Sequence, residues 1–333
     1  MTATVWYLVL GLLFAGYFAL AGLDYGVGMS LWSLRRGVAG RRVAIGAVGP
    51  FFLGNEVWIV AALGVMFGAF PRLDGALLAG FYPLVAGVVA GLVVIVAGVQ
   101  IGGRTRRRGF DVLIAGASLP VALGWGALLG AVLLGAPRLD PYPLLSAVAF
   151  ALVLRAHGAT FLAWRLAGPA RDRTVPPAGP VREPAVPLAG PLRERAVRVA
   201  ARRLPVAAVA VIVAVVAAAA YGPVRAHIRQ PLPALLLAAA IVVALAGAGP
   251  ALRRGRHGLA TVATSVAAAL PVLAVGFAVY PETVAGLTVG EAAADAATLH
   301  LLGWLAAPAL PVLIAAQVLV WLAFRRGPVP RFY

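Results

Sequence analysis

Long apolar runs constrain the fold of this chain more than any other feature of its sequence. Nine runs are long enough to cross the roughly 30 Å hydrocarbon layer of a bilayer as helices. They cover residues 5–34, 43–70, 76–101, 112–135, 144–167, 204–221, 232–248, 258–280 and 299–324. Only 12% of the 333 residues are charged, about half the share that a soluble domain carries. The sequence therefore predicts an all-α, polytopic membrane protein.

The distribution of basic residues predicts the transmembrane topology of the chain. All 28 are Arg, and 23 of them lie in five regions that alternate along the chain: 35–42, 104–108, 165–203, 253–256 and 325–331. By the positive-inside rule these regions are cytoplasmic, so the N-terminus is outside and the C-terminus inside. A nucleic-acid-binding protein gathers basic residues on one soluble face. The net charge of +17 therefore indicates topology and contact with membrane lipid, and no nucleic-acid partner.

A Pro- and Arg-rich segment predicts the domain organisation. Residues 168–203 contain seven Pro and are expected to form a cytoplasmic linker. It would join an N-terminal bundle of five spans, residues 1–167, to a C-terminal bundle of four spans, residues 204–333. The stretch 192–203 fits two structures, a basic amphipathic helix on the membrane surface or a solvated connector held near anionic lipid.

The first span carries a carboxylate, Asp24, among three glycines. Polar groups inside spans are costly and are functional candidates. Gly22, Gly26 and Gly28 are small enough to let another helix pack closely. Two interpretations of Asp24 stay open: a proton-accepting carboxylate near a cytoplasmic entrance, or a carboxylate paired with an Arg that fixes helix packing.

The second span carries Asn55 and Glu56 one turn after Pro50. Proline frees a backbone carbonyl in the preceding turn, which either side chain is suited to satisfy. Glu56 is also a candidate for proton relay, with a structural hydrogen bond as the alternative. Further predicted packing or partner contacts are Trp58, Gln317 and Trp321.

The fifth span places Arg155 near His157. Histidine commonly ligates haem iron, but a bis-ligated haem needs a second ligand on a facing helix. The other three His lie near span ends or in loops, so we expect the chain to bind neither haem nor a metal ion. The sequence also has no Cys, no nucleotide-binding loop and no Ser or Cys nucleophile arrangement. These absences argue against a self-contained active site.

Several segments together resemble subunit II of the cytochrome bd-type quinol oxidases. Residues 22–29 (GLDYGVGM) resemble that family's G-F-D-x-G-V-G-M, and the paired Arg41 and Arg42 follow. Residues 49–50, 54–58, 67–71, 80–82 and 157–162 resemble the family's G-P, G-N-E-V-W, F-A-A-F-P, G-F-Y and H-G-A-x-F-L. The C-terminal pattern is matched by Ala293, Ala294, Thr298, Leu299, Pro308, Gln317, Trp321 and Phe324.

This resemblance implies two four-helix bundles plus one peripheral helix in a prokaryotic cell membrane. It implies a haem-bearing subunit I as partner, which carries haem b, haem d and the quinol site. The present chain would be a haem-free accessory subunit of an oxidoreductase that uses quinol and oxygen. It would supply a scaffold and, as in some members, a cytoplasmic proton route, for which Asp24 matches the family's first-span carboxylate.

Two departures from the family pattern keep other interpretations open. Leu53 stands where the family has a second carboxylate, and residues 97–104 (AGVQIGGR) keep only the glycine and last Arg of R-G-x-x-F-E-x-R. One alternative is a membrane scaffold with no proton role. Another is a secondary transporter, in which Asp24, Glu56, Arg155 and His157 line a midplane site.

Overall fold

The computed structural model describes residues 2–31, 37–105, 109–136, 140–167 and 189–324. The long helices in these ranges are α1 (Ala3–Ser30), α2 (Gly37–Ala69), α3 (Pro71–Thr105), α4 (Gly109–Leu134), α5 (Pro141–Arg165), α6 (Ala189–Ala220), α8 (Pro231–Arg253), α9 (His257–Val279) and α11 (Ala296–Phe324). Two single-turn helices, α7 (Gly222–Arg225) and α10 (Val289–Ala292), lie in connections. In the described part of the chain, nine helices are long and apolar enough to span a membrane. This confirms the predicted fold class.

The helices are apolar on all sides because one face packs in the protein and the other meets lipid. Prolines interrupt several of them, and α3 bends where Phe81, two residues before Pro83, leaves helical geometry (φ −111°, ψ 16°). A proline ring clashes with the carbonyl one turn earlier, which explains the bend. Pro50 is accommodated inside α2.

Helix contacts divide the molecule into two bundles and one peripheral helix, as expected. The first bundle contains α1, α2, α3 and α4, and the second contains α5, α6, α8 and α9. Helix α1 lies at the centre and packs against α2, α4, α5 and α9. Helix α11 packs against α2. The fifth span thus shares a bundle with later helices, so the predicted division of the chain into five and four spans follows chain order and not packing.

The end of the predicted linker is helical in the structure. Residues 168–188 lie outside the described residues, but 189–203 are the first part of α6, which continues into the span without a break. Its buried positions, Leu192, Ala196, Ala200 and Leu204, repeat every four residues and face the core. Residues at this spacing lie on one helix face, so the extension packs against α5 as a helix. The charged residues Arg193, Glu194, Arg195 and Arg198 occupy its other faces.

Polar contacts stabilise the connection from α9 to α11. Arg229 pairs with Glu282 at 2.9 Å. Thr288 and Glu291 form a capping box at the start of α10. Asp295 accepts hydrogen bonds from the Thr298 backbone N–H at 3.0 Å and from its hydroxyl at 2.8 Å, which caps the start of α11. The last helix therefore begins at a fixed point beside the first bundle.

Candidate functional site

Asp24 is buried at a tight crossing of three helices, with 5% of its surface exposed. A Cβ atom on Gly26 would collide with the α5 backbone, including Gly158 N at 2.6 Å. One on Gly28 would meet the Ser118 side chain of α4, and one on Gly22 would lie 2.9 Å from Leu154 Cδ2. The three glycines thus let α4 and α5 approach the turn of α1 that carries Asp24.

Asn55 hydrogen-bonds the Asp24 carboxylate. Its Nδ2 donates to Asp24 Oδ2 at 3.0 Å and to the Leu20 carbonyl at 3.2 Å. Asp24 Oδ1 is buried and has no hydrogen-bond partner within the described ranges. Among the described residues, Asp24 is therefore held by an uncharged amide and pairs with no Arg; Arg35 and Arg36 lie outside those residues. Asn55 donates hydrogen bonds to a carboxylate and a backbone carbonyl of α1, and not to the carbonyl that Pro50 frees.

Glu56 is half-buried on the same turn of α2 as Asn55. It is near enough to Asp24 and Tyr25 for an electrostatic interaction with each, and these four residues make up a polar cluster. The Tyr25 hydroxyl in turn hydrogen-bonds the hydroxyl of Tyr17. Glu56 Oε1 is buried and has no hydrogen-bond partner in the part of the chain that the structure describes. Neither tyrosine was predicted as a site residue, because the local sequence does not distinguish a hydrogen-bonded Tyr in an apolar helix from an ordinary core Tyr.

Helix α11 reaches the same cluster through Gln317. Gln317 Nε2 donates to Asn55 Oδ1 at 3.2 Å, and its Oε1 lies 3.4 Å from Trp58 Nε1. If the oxygen and nitrogen of this amide are exchanged, its oxygen accepts from Trp321 Nε1 at 2.9 Å and its nitrogen donates to the Gly54 carbonyl at 3.0 Å. In both orientations Gln317 forms a hydrogen bond between α11 and α2. The Trp321 ring also packs against Phe51 at 4.7 Å between centroids.

Leu53 points away from this cluster. Its side chain is 59% exposed, on the face of α2 that also carries the exposed Val57 and Val60. The carboxylate that other family members have at this position is therefore replaced by an apolar residue on the outer surface of this chain. Glu56, three residues after Leu53 and four before Val60, lies along the same face of α2 and is partly exposed.

His157 is fully buried and joins three helices. Its Nε2 lies 3.0 Å from the Ala19 carbonyl of α1, and its Nδ1 lies 2.8 Å from Thr264 Oγ1 of α9. A carbonyl only accepts, so we assign the hydrogen to Nε2, and Nδ1 accepts from Thr264. Both ring nitrogens are thus engaged by protein groups. The described residues contain no cluster of three or more His, Asp or Glu that fits a metal ion.

Arg155 occupies a different environment from Asp24 and Glu56. It is half-buried on α5 and interacts with Arg203 of α6. The four residues of the transporter interpretation therefore do not share one site: Asp24 and Glu56 form the cluster, His157 bridges helices, and Arg155 lies between α5 and α6.

An apolar crevice leads from Asp24 to the end of α1. It is lined by residues of α1, α2, α3 and α4, among them Val27, Leu31, Ile45, Val48, Val99 and Ile114. The crevice has room for roughly one water molecule. Arg41 of α2 and Asp111 of α4 pair at 3.0 Å near the same end of the bundle. The side chain of Arg42 lies outside the described residues.

A second, larger apolar cavity lies toward the other end of the first bundle. It has a volume of about 530 Å³ and opens to the outside between α1, α2, α3, α4 and α9. Phe14, Phe18 and Trp125 line it. The Phe18 and Trp125 rings are 5.3 Å apart, and Trp125 is 5.7 Å from the Tyr17 ring. These aromatic rings lie between the cavity and the polar cluster.

The described chain has two four-helix bundles, a peripheral ninth helix and a buried carboxylate cluster in the first bundle. It is therefore an all-α, polytopic membrane protein. The chain matches the family described as cytochrome bd terminal oxidase subunit II over residues 2–182 and 184–324. It belongs to that family, which confirms the resemblance inferred from the sequence.

Individual relatives agree with this assignment. The chain is 27% identical over 186 residues to cytochrome bd ubiquinol oxidase subunit 2 of Bacillus subtilis, covering 51% of this chain and 55% of that protein. It is 30% identical over 193 residues to cytochrome bd-I ubiquinol oxidase subunit 2 of Escherichia coli, covering 51% and 50%. These matches span about half the length of each relative. The fold is similar to the bd oxidase structure from Geobacillus thermodenitrificans, with a TM-score of 0.69 at 12% identity over 98% of this chain and 99% of that one.

Proposed function

We propose that this chain is the haem-free subunit II of a bd-type quinol:oxygen oxidoreductase, where it scaffolds a haem-bearing subunit I. The match to the subunit II family along nearly the whole chain carries this proposal. The haems b and d and the quinol site belong to the partner subunit. The occupied nitrogens of His157 support this assignment, since the best-placed His of the spans offers no free ligand atom. Haem supplies electron transfer and oxygen chemistry in the partner, and no step runs through a cofactor on this chain.

The chain's own contribution is a cytoplasmic proton route. In the orientation predicted from the Arg clusters, the crevice begins at the cytoplasmic end of the first bundle. A proton enters it, reaches the Asp24 carboxylate and passes on toward the oxygen-reducing site of the partner. Asn55 orients Asp24 by its hydrogen bond at 3.0 Å. Asp24 is buried and forms no ion pair with the residues that the structure describes, which leaves this carboxylate able to take up and release a proton.

Substitution of Asp24 tests the route. Asp24→Asn keeps the shape of the side chain and its contact with Asn55, so the complex should assemble. Oxygen-reduction turnover should fall about tenfold or more, because the proton carrier is gone. Turnover, partner content and the haem spectrum are measured on the same purified sample. Loss of the complex would make Asp24 a structural residue, and an unchanged rate in an intact complex would remove Asp24 from the mechanism.

A second candidate is a scaffold with no proton role. The exposed, apolar Leu53 favours it, because this chain lacks a carboxylate on the surface where the family pattern has one. The double substitution Asp24→Asn with Glu56→Gln distinguishes the two. Full activity of the double variant would support the scaffold, and a strong loss of turnover would support the proton route.

A further inference from the structure

One face of α6 changes from basic to apolar along the helix. Steps of three or four residues lead along this face through Arg195, Arg198, Arg202, Val206, Val209, Val213 and Val216. Residues at such spacing lie on one side of a helix. The four valines are each between 45% and 61% exposed, and Arg198 and Arg202 are exposed too. This side, called here the outer face of α6, therefore presents a short basic row that continues into an apolar row about 15 Å long.

Packing holds the basic row in a fixed place. Helix α6 has 32 residues, whereas α8, which packs beside it, has 23. Only residues 221–230 connect the end of α6 to the start of α8, so the extra length of α6 lies at its beginning. A helix as long as α8, counted back from Ala220, would begin at Arg198. The buried stripe of α6 packs against α5 on the opposite side. Arg198 and Arg202 therefore lie near the level of the turn between α8 and α9, on a helix that is packed against the core.

This end of the second bundle carries far more positive than negative charge. Residues 189–204 and 253–257, all within the described ranges, contain eight Arg and one carboxylate, Glu194. Glu194 contacts one of these Arg at 3.7 Å, and both side chains are exposed, so the pair contributes little. At the opposite end of the bundle, by contrast, Arg229 pairs with Glu282 at 2.9 Å. The positive charge beside α6 thus exceeds what the described part of the chain neutralises.

A phospholipid fits both halves of this face. Two Arg one turn apart donate charge-assisted hydrogen bonds to the oxygens of a phosphate group, and basic surfaces at this level of a membrane attract anionic headgroups. A soluble polyanion would contact the Arg and leave the valines bare, whereas the acyl chains of a lipid continue from its phosphate. We infer that the outer face of α6 binds an anionic glycerophospholipid, with its phosphate at Arg198 and Arg202 and its acyl chains along Val206, Val209 and Val213. This site is independent of the proton route and of the oxidase function.

Native mass spectrometry of the purified, delipidated complex tests the headgroup. The complex is offered phosphatidylglycerol, which is anionic, or phosphatidylcholine, which is not, and wild type should retain the former in preference. Arg198→Gln with Arg202→Gln should reduce this retention about tenfold, because the hydrogen bonds to the phosphate are lost. Arg72→Gln with Arg225→Gln removes the same charge from exposed positions at the opposite end and should retain the lipid as wild type does. Equal loss in the two double variants would overturn the assignment to α6.

Substitution of the apolar row tests the contact with the acyl chains. Val209→Ser with Val213→Ser should lower the retention of phosphatidylglycerol several-fold, because the chains lose apolar contact area. Val93→Ser with Val94→Ser, at exposed positions of α3, is the matched control. Inorganic phosphate should displace no more lipid than sodium chloride of equal ionic strength. Displacement by phosphate alone, or equal retention in the two serine variants, would show that the Arg bind a free phosphate and would overturn the lipid as ligand.

Lipid retention and oxidase activity are separate results on the same sample. Thermal unfolding and partner content show that each variant is assembled. If a substitution disrupts assembly, the comparison of the two lipids on wild type still decides, since equal retention of both lipids, or of neither, would overturn the inference. A lipid-selective complex that does not reduce oxygen would keep this site and contradict the proposed function. An active oxidase without lipid preference would do the reverse.

Discussion

Asn55 uses its whole amide group to join three helices. Its nitrogen donates to α1 at Asp24 and Leu20, and its oxygen lies 3.2 Å from the Gln317 amide of α11. The sequence identified Asn55, Asp24 and Gln317 separately, because each is a polar residue in an apolar run. Their juxtaposition was not predictable, since it depends on how α11 packs against α2. Tyr17 and Tyr25 were missed because nothing in the local pattern separates a hydrogen-bonded Tyr from an ordinary core Tyr.

His157 should contribute to stability and not to cofactor binding. His157→Leu leaves the Ala19 carbonyl without its donor and Thr264 without an acceptor, which should lower stability by about 1–2 kcal/mol. Thermal unfolding of the complex measures the change. The haem spectrum should stay the same, and His300→Leu, at an exposed position, should alter neither property. A lost haem band in an assembled His157→Leu complex would contradict the assignment of all haem to the partner.

Glycines of α1 let both α4 and α5 approach this helix closely, and a stripe of Leu and Ala residues spaced four apart packs α6 against α5. The first pattern was recognised in the sequence, because the glycines surround an intramembrane carboxylate. The second pattern, which begins at Leu192, agrees with the helical one of the two structures considered for residues 192–203. Composition indicated a linker, while the buried stripe indicated a helix, and packing against α5 decided in favour of the helix.

Gly26→Ala should disrupt the crossing of α1 and α5. The added methyl group would collide with backbone atoms, which cannot rotate away as a side-chain tip can. We expect loss of assembled complex or a large fall in its unfolding temperature, measured by size-exclusion chromatography and thermal scanning. Gly64→Ala, in α2 with open space around the new atom, should be neutral or slightly stabilising. Equal behaviour of the two variants would show that the crossing tolerates a wider spacing.

The cap of α11 should depend on pH. Hydrogen bonds from Thr298 hold the pKa of Asp295 below its usual value of 3.8. A lowered folded-state pKa means that the stabilisation is present above 3.8 and is lost as pH falls through the folded-state value. Asp295→Asn keeps a capping side chain that does not titrate. The difference in unfolding temperature between wild type and Asp295→Asn should therefore shrink in acid, and a constant difference would contradict the role of the charged cap.

At the scale of the whole molecule, the number of spans follows from the apolar runs, and the architecture of two bundles plus one helix was implied by the family resemblance. Apolar runs of sufficient length have few alternatives to transmembrane helices, which makes their number predictable. The assignment of α5 to the second bundle was not predictable, because adjacent helices in the chain pack on both sides of it. The same limit applies to α11, whose docking against α2 depends on tertiary contacts.

Purification of the tagged chain from its native membrane tests the central claim most directly. The sample is examined for accompanying subunits and by a reduced-minus-oxidised spectrum. We expect a second polytopic subunit and absorption bands of b- and d-type haems in one preparation, because this chain is proposed to scaffold the haem-bearing subunit. A stably folded chain that purifies colourless and without that partner would contradict the account.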